Sequence, residues 1–416
     1  MAASRSSSPD PGSGSEHVSE SEQTDTARLK RRNRDLEDQL YELQGTKKQK
    51  KQVLPSILSL IRLDKTKTVP SSRTGKTMGR IICRAIVLVP RINDYIADAD
   101  RQVEGEADEE DIQDHDERDR RKCDRIAYQL LRKHIPELGK HLNDDIDVLY
   151  EFTAKLEFGA SQGRSEDVFA LKEAVADFIN ADLPTGNPRV GREDRVGRGF
   201  AHKVTGHLLC PIQYDWHDPE VRQKVQELHE AYPTHSSYFV NCLYKSNKGD
   251  PEHLEEGFLR NGLLVKVYLY IFFSHSSSAQ LSISDIENDK NFATCQSKAK
   301  KATKKSVGQQ LGLISVTPRT IAYAAVLLHF SLSPAKFWDL EFNDFSYEAF
   351  YNNIVDYLED PGDDDEAVAE VKAVIDWWNR RVFPAGTGRG HGGPPPRMKD
   401  SIANQRAARR RVPLTQ

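Results

Sequence analysis

The sequence has few of the features that mark secreted, disulfide-rich or membrane proteins. Only five of its 416 residues are cysteine. Because these are scattered, odd in number and never spaced as Cys-x-x-Cys, they exclude a disulfide scaffold and fit a reducing compartment. The longest apolar run, Leu263 to Phe273, contains Lys266 and is much shorter than the ~20 residues that span a bilayer. Residues 1–20 contain no apolar stretch, so we expect neither a secretory signal nor a membrane protein.

The content of apolar residues is also low, and neither sign of charge is in large excess. Hydrophobic residues make up 38% of the chain, against ~45–50% in an ordinary globular protein, and 29% of residues are charged. This composition predicts solvated segments outside a folded part. The formal net charge of -4 excludes a uniformly basic coat for nucleic acid, although it conceals local clusters of one sign.

The composition of both ends of the chain predicts disorder, and basic clusters lie within or next to these ends. Residues 1–27 and 385–416 contain too little apolar surface to offset the entropy of ordering them. The basic clusters are typical of nuclear-import signals; a weak nucleic-acid contact or a solubilising charge run is the alternative. The residues assigned to import or nucleic-acid contact are Lys30, Arg31, Arg32, Lys47, Lys48, Lys50, Lys51, Arg409, Arg410 and Arg411.

A short basic segment, residues 28–52, has the spacing of a coiled coil. Its a and d positions are Leu29, Asn33, Leu36, Leu40 and Leu43, and an Asn at an a position fixes register in known coiled coils. About two heptads are present, whereas a sustained coiled coil needs ~3–4. The pattern predicts weak self-association through residues 29–43, and a solvated amphipathic helix is the alternative.

Residues 76–384 contain the folded part, and their apolar spacing predicts an all-α fold, a single multi-helix domain between disordered charged tails. One predicted helix ends near residue 158, and the next begins at an N-cap serine, Ser165. Residues 254–273 predict a buried helix, and Thr317-Pro318 predicts the start of another. The strongly acidic residues 103–119 predict a flexible insertion, and the Lys-rich residues 284–310 predict a loop.

Motifs that carry catalysis are absent from the sequence. It lacks Gly-x-Ser-x-Gly, His-Glu-x-x-His, Gly-x-Gly-x-x-Gly and EF-hand patterns. Gly75-Lys76-Thr77 is not a phosphate-binding loop, because Pro70 occupies the position of the first glycine. We therefore predict no catalytic residue and no cofactor. A metal-assisted hydrolase built from scattered carboxylates remains the alternative, because such ligands need not be adjacent in sequence.

Four side chains within residues 202–217 are of types that zinc accepts: His202, His207, Cys210 and His217. Their spacing matches no established pair of zinc ligands, and the apolar residues around Cys210 indicate packing against a core. The favoured interpretation is that the histidines have backbone partners and that the thiol is buried. A zinc site is the alternative.

Several short strings occur together in a characteristic order. They are Gly159-Ala160-Ser161, Arg164-Ser165-Glu166-Asp167, Arg198-Gly199-Phe200-Ala201-His202, Leu208-Leu209-Cys210-Pro211, Gly257-Phe258-Leu259-Arg260, Val316-Thr317-Pro318 and Trp377-Trp378-Asn379. This order resembles an uncharacterised domain family, of unknown function, that is expanded in mushroom-forming basidiomycete fungi. The resemblance covers residues 76–384. It implies no assigned activity, cofactor or catalytic residue, and the divergent copies of the family are compatible with an origin in mobile elements.

The sequence therefore favours a non-enzymatic nuclear protein whose helical domain binds a protein or a nucleic acid. The cytoplasm is the alternative location, and no membrane partner is expected. The second hypothesis is a metal-assisted hydrolase or nuclease that acts on nucleic acid. A third is a degenerate element-derived protein without a retained biochemical role.

Overall fold

The computed structural model describes residues 75–104, 115–274, 278, 281–288, 306–362 and 364–383. These residues are mostly helical, which confirms the all-α prediction. They form two compact units: the first contains residues 91–158, and the second contains α1 to Pro90 and the chain from Gly159 onward. Over the described ranges, no helix is both long enough and apolar enough to cross a membrane. The predicted tails and the segment of residues 28–52 lie outside the described residues.

The elements are numbered in chain order. The helices are α1 (Gly75–Ala85), α2 (Ile92–Glu104), α3 (His115–His134), α4 (Pro136–His141), α5 (Ile146–Asp182), α6 (Lys203–Leu209), α7 (Pro219–Gln226), α8 (Gly262–Phe272), α9 (Ile283–Glu287), α10 (Val307–Leu311), α11 (Pro318–Leu332), α12 (Tyr347–Glu359) and α13 (Asp365–Val382). Two short antiparallel strands, β1 (Glu341–Phe342) and β2 (Phe345–Ser346), join α11 to α12.

The first unit packs α2, α3 and α4 with residues 146–158 of α5. Side chains of α5 fix the start of α2. The Glu157 carboxylate accepts the backbone N–H of Ile92 at 2.7 Å, and the Thr153 hydroxyl donates to the side-chain oxygen of Asn93 at 2.9 Å. The first bond satisfies a backbone donor that has no partner within the helix, so it stabilises the N-terminus of α2.

Helix α5 corrects the prediction of two helices divided before Ser165. The helix is continuous, and the Ser165 hydroxyl donates to the carbonyl oxygen of Ser161 at 3.0 Å instead of capping a new N-terminus. The small residues around it allow close packing. A Cβ on Gly163 would lie 2.6 Å from Cγ of Arg80 in α1. Glycine in this segment therefore admits a neighbouring helix and does not end α5.

The second unit is built around α11, which is buried along its whole length and packs against α1, α8 and α12. The predicted Thr317-Pro318 start is confirmed, because Thr317 forms a capping box with Thr320. The predicted buried helix within residues 254–273 is α8. It begins at Gly262 because the Asn261 side chain accepts the N–H groups of Leu263 and Leu264.

Buried cations in the second unit are held by carboxylates and by backbone carbonyls. Arg319 donates to both carboxylate oxygens of Glu359, at 2.9 and 3.0 Å, and to the carbonyl oxygen of Ile86 at 2.6 Å. Lys266 in α8 lies 3.6 Å from the carboxylate of Asp182. Each contact compensates part of the cost of removing the charge from water.

The predicted insertions have helical ends. Helix α2 continues to Glu104 and α3 begins at His115, so each end of the acidic segment 103–119 is helical. In the same way α9 and α10 occupy parts of residues 284–310. The central parts of both segments, including the lysines at 298–305, lie outside the described residues.

We predict that Arg319→Met lowers the free energy of unfolding by about 3–5 kcal/mol, because it leaves the buried carboxylate of Glu359 without its cation. Urea unfolding followed by circular dichroism measures this. The matched control is Arg192→Met, which removes a guanidinium that pairs with Glu173 and is 57% exposed. The control should cost less than about 1 kcal/mol. Equal losses in the two variants would contradict the prediction.

Candidate functional site

The four sequence-predicted metal ligands lie in and around α6, and His202 and Cys210 both bond to the backbone. His202 is the N-cap of α6: its Nδ1 accepts from the N–H of Val204 at 3.2 Å, and its Nε2 lies 3.2 Å from the carbonyl oxygen of Arg189. Cys210 is buried beside Trp216 and donates to the carbonyl oxygen of Tyr214 at 3.8 Å. His202 and Cys210 are therefore engaged, whereas Nδ1 of His207 is buried without a hydrogen-bond partner among the described residues.

The structure brings His207 and His217 together but does not assemble the four residues. The two imidazole rings are 5.3 Å apart, and burial together with the nearby His217 lowers the pKa of His207. No three donor atoms of the four residues lie within 4.8 Å of one another. Burial, and next the nearby Asp215, raise the pKa of Cys210 to about 12, so the metal-free thiol is protonated at neutral pH.

Within the described ranges, one different group brings three metal-ligating side chains together. Asp250, His253 and Glu256 place their donor atoms within 4.8 Å, on an exposed turn that sequence reasoning missed. The spacing of three residues between Asp250, His253 and Glu256 is the sequence pattern that could have revealed this group. His253 Nδ1 lies 3.1 Å from the carboxylate of Asp250, which also accepts the N–H of Glu252. These contacts form an ordinary hydrogen-bonded turn, so the group does not define a metal centre.

A cleft of about 490 Å³ lies beside the end of α5. It is lined by Asp177, Asn180, Ala181, Arg189, Val190 and Arg192. Its polar groups bond to one another: Arg192 pairs with Asp177 at 3.2 Å, and the Asn180 amide exchanges two 2.9 Å hydrogen bonds with the backbone of Val190. The cleft therefore presents no unpaired nucleophile or base from these groups.

The most unusual side chains of the second unit are three buried arginines, Arg164, Arg195 and Arg198, which we call the arginine junction. Arg198 donates to the carbonyl oxygens of Ser331 at 2.6 Å, Lys172 at 2.7 Å and Gly191 at 2.8 Å. Its guanidinium thus joins α5, the loop before α6 and the end of α11. A guanidinium suits this position because it offers several donors in one plane.

The other two arginines of the junction also donate hydrogen bonds to backbone carbonyl groups. Arg195 donates to the carbonyl oxygen of Phe330, near the C-terminus of α11, and Arg164 donates to that of Leu88 at 2.7 Å. The last carbonyls of a helix have no partner within it and carry negative partial charge, so a cation at the end of α11 is favourable.

Aromatic rings pack against these guanidinium groups. Arg195 lies over the ring of Phe330, 4.3 Å from its centroid, and Arg164 lies 5.4 Å from the ring centroid of Trp338. The two rings are 5.1 Å apart. Both guanidinium groups therefore border one aromatic pair, which contributes cation–π stabilisation.

The arginine junction carries positive charge without a carboxylate partner. Within the part of the chain that the structure describes, none of its three guanidinium groups forms an ion pair. Burial, and next the nearby Arg198, lower the pKa of Arg195 to about 10. Burial likewise lowers the pKa of Arg198. Arg195 therefore remains charged at neutral pH.

Three exposed apolar side chains, which we call the apolar rim, belong to the segments that the junction joins. Phe169 is 80% exposed, Val196 is 58% exposed and Phe337 is 85% exposed. Phe169 lies on α5 between Arg164 and Lys172, Val196 lies between Arg195 and Arg198, and Phe337 precedes Trp338. The loop and the Phe337 segment also meet at Gly199 (φ +70°), where a Cβ would be 2.6 Å from Pro334. This positive φ and the close contact require glycine.

Sequence reasoning missed the arginine junction and the apolar rim. Arg164 and Arg198 occur in the strings that carry the family resemblance, but nothing in their spacing shows that they are buried or that they meet. The residues predicted for nuclear import, from Lys30 to Lys51 and from Arg409 to Arg411, lie outside the described residues.

Comparison with known proteins identifies one family. Residues 158–383 match the model of a family of unknown function, DUF6698. The chain belongs to this family. The matched residues contain the whole arginine junction and the apolar rim, so both features lie in the DUF6698 region. The match begins after residues 76–157, which the resemblance in sequence had included. No curated protein and no solved structure matches the chain. Expansion of the family in mushroom-forming fungi stays a prediction.

His329, on α11 next to Phe330, generates a pH prediction. Burial lowers its pKa from about 6.5 to about 3, and its ring stacks on Phe345 at 3.9 Å. Between these pH values the unfolded chain binds a proton that the folded chain does not. The free energy of unfolding should therefore fall by up to about 1.4 kcal/mol per pH unit as pH drops below about 6.

Replacing His329 with Phe keeps the ring and removes the titration. Urea unfolding at several pH values between 7 and 4 should show a shallower decline for His329→Phe than for the unchanged protein. His253→Phe is the control, because His253 is 71% exposed and its substitution should leave the decline unchanged. Parallel pH profiles for the His329→Phe variant and the unchanged protein would contradict the assignment.

Proposed function

We propose that the chain is a non-enzymatic nuclear protein whose helical domain binds another protein through the apolar rim. One observation carries the proposal. Of the four most exposed large apolar side chains in the described residues, three are Phe169, Val196 and Phe337. These three side chains lie on segments that the arginine junction joins, and exposed apolar patches are typical of protein interaction sites.

The chemistry of the rim supports a protein partner over a nucleic acid. Nucleic-acid affinity depends on cations that reach phosphates. Arg198 is only 1% exposed, and its donors are occupied by backbone carbonyls. Nearby Arg192 is exposed but pairs with Glu173 and Asp177. Aromatic side chains, by contrast, are enriched in the centres of protein interfaces.

The fixed segments that carry the apolar rim favour binding at low entropic cost. Each rim residue lies within five residues of a junction arginine or beside Trp338, and these anchors are fixed by hydrogen bonds and ring contacts. Binding to side chains on fixed segments requires little ordering of the backbone. This supports Phe169 and Phe337 as the side chains that a partner would cover.

A crosslinking experiment tests the docking function. A photo-crosslinking amino acid replaces Phe337 in the full chain in cells, and the control chain carries it at Leu254, which is 46% exposed. We expect the crosslinker at position 337 to capture a protein that the crosslinker at position 254 does not capture. When the captured protein and this chain are purified, Phe169→Ser should lower their affinity about tenfold or more. Identical captures at both positions, or capture of nucleic acid or of a second copy alone, would overturn the proposal.

The nuclear location rests on the basic clusters at the two ends of the sequence. Lys47, Lys48, Lys50 and Lys51 form one cluster, and the consecutive arginines 409–411 form another. Weak self-association through residues 29–43 and an origin in mobile elements also stay proposals.

Removal of the basic charge tests import. We expect a fluorescent full-length chain to accumulate in the nucleus, and a variant with all ten assigned Lys and Arg residues replaced by Ala to lose that accumulation in live-cell imaging. A control variant replaces Lys245 and Lys248, exposed lysines of the folded part, by Ala and should remain nuclear. Unchanged nuclear accumulation of the ten-residue variant would reject the import role.

A further inference from the structure

We infer that His207 and His217 together bind a transition-metal dication such as Zn²⁺, with water in the remaining coordination positions. The inference is independent of the proposed docking function, because neither histidine belongs to the apolar rim or to the arginine junction. It depends on how the two imidazoles are held together and on a ring nitrogen of His207 that has no hydrogen-bond partner among the described residues.

Nδ1 of His207 is a buried polar atom whose bonding capacity is unused. It is shielded from solvent, and no described residue forms a hydrogen bond with it. The backbone of Asn247 forms a hydrogen bond with the same imidazole, so that bond uses Nε2. An imidazole that binds a metal commonly has this arrangement, in which one nitrogen donates to a carbonyl and the lone pair of the other faces the ion. A bound ion would therefore satisfy the buried nitrogen.

The two imidazole rings are separated by about the distance that a shared ion requires. Their centroids are 5.3 Å apart and their planes are inclined by 43°, so they are not stacked face to face. In a tetrahedral site with Zn–N distances of ~2.0–2.1 Å, the centroids of two ligating imidazoles are about 5 Å apart. His217 is exposed, so an ion can enter from solvent and keep water ligands.

The backbone that carries both histidines is fixed by Trp216. Its indole packs on α6 at Gly206, where a Cβ would overlap the ring, and its Nε1 donates to the carbonyl oxygen of Lys203 at 3.1 Å. His207 directly follows Gly206, and His217 directly follows Trp216, so one contact holds both ligands in place. Ligands on a fixed backbone lose little conformational entropy when an ion binds.

Both signs of charge lie near the pair, so the ligand atoms and not the local charge select the ion. Asp215 accepts the backbone N–H of His217 at 2.9 Å, and Asp218 is the N-cap of α7. Arg222 donates to the carbonyl oxygen of Trp216 at 3.5 Å. Imidazole nitrogens favour zinc, copper, nickel and cobalt, whereas magnesium and calcium prefer oxygen ligands. The inferred ligand is therefore a transition-metal dication.

The two histidines are the only protein ligands that the inference requires. No third His, Cys, Asp or Glu of the described residues completes a group with them in which all ligand atoms lie within 4.8 Å. His202 and Cys210 are engaged with the backbone. Water therefore completes the coordination of the ion, which the exposure of His217 allows.

Zinc titration of the untagged full chain, after removal of metal by a chelator, tests the inference by isothermal titration calorimetry. We expect Zn²⁺ to bind and Mg²⁺ at the same concentration to give no binding. His217→Phe changes an exposed side chain and should remove one bound Zn²⁺ per chain or weaken that site about tenfold or more. His207→Phe should have the same effect, because each substitution removes one of two ligands to the same ion.

The variant with both substitutions distinguishes one shared ion from two separate ions. If the histidines hold one ion, the double variant loses no more Zn²⁺ than either single variant. The control is His253→Phe, which removes the imidazole of the Asp250–His253–Glu256 turn and should leave the Zn²⁺ site unchanged. Circular dichroism without Zn²⁺ checks that every variant is folded.

Thermal unfolding gives a second readout. Zn²⁺ should raise the Tm of the unchanged chain, because the ion binds the folded state, and the rise should be smaller in His217→Phe. The inference would be overturned if the unchanged chain bound no Zn²⁺, if His253→Phe lost as much Zn²⁺ as His217→Phe, or if the double variant lost two ions. The crosslinks from position 337 decide the docking function separately from these titrations.

Discussion

Buried guanidinium groups that donate to backbone carbonyls are the interaction on which the second unit depends. Arg198 joins the end of α11 to α5, Arg319 joins the start of α11 to the segment after α1, and Arg381 joins α13 to the segment at α9. Helix ends leave carbonyls without partners, and a buried carbonyl must find a donor. A side chain with five donors meets this need across segments that are distant in sequence, which an apolar side chain could not do.

This use of arginine helps to enclose the central helix of the second unit. The chain is poor in hydrophobic residues, yet α11 is buried along its whole length. A helix enclosed on all sides needs partners for its ends as well as for its faces. Arg195 and Arg198 donate to carbonyls at the C-terminal end of α11, and the Thr317 capping box accepts N–H groups at its N-terminus. The helices α8 and α12 pack along its length.

The sequence predicted local features well and tertiary features poorly. The cap at Thr317 and the helix within residues 254–273 follow from local sequence pattern, and both are as expected. The predicted helix start at Ser165 was wrong, because a serine within a continuous helix can donate to a carbonyl of the preceding turn. Gly163 lies in the same helix, where its lack of a side chain leaves room for Arg80. Local pattern cannot distinguish these uses from a helix start. The apolar rim was equally hidden, because the exposure of Phe169 on an amphipathic helix depends on which neighbours cover it.

The convergence of contacts on Arg198 has a consequence for the order of folding. Its guanidinium is satisfied only when the chain near residue 172, the loop at residues 191–192 and the carbonyl of residue 331 have come together. These segments are separated by long stretches of chain, whose closure costs entropy before any contact is gained. We expect the guanidinium to enter its site in a late step of folding. Contacts formed after the rate-limiting barrier slow the escape from the native state and leave the rate of reaching it almost unchanged.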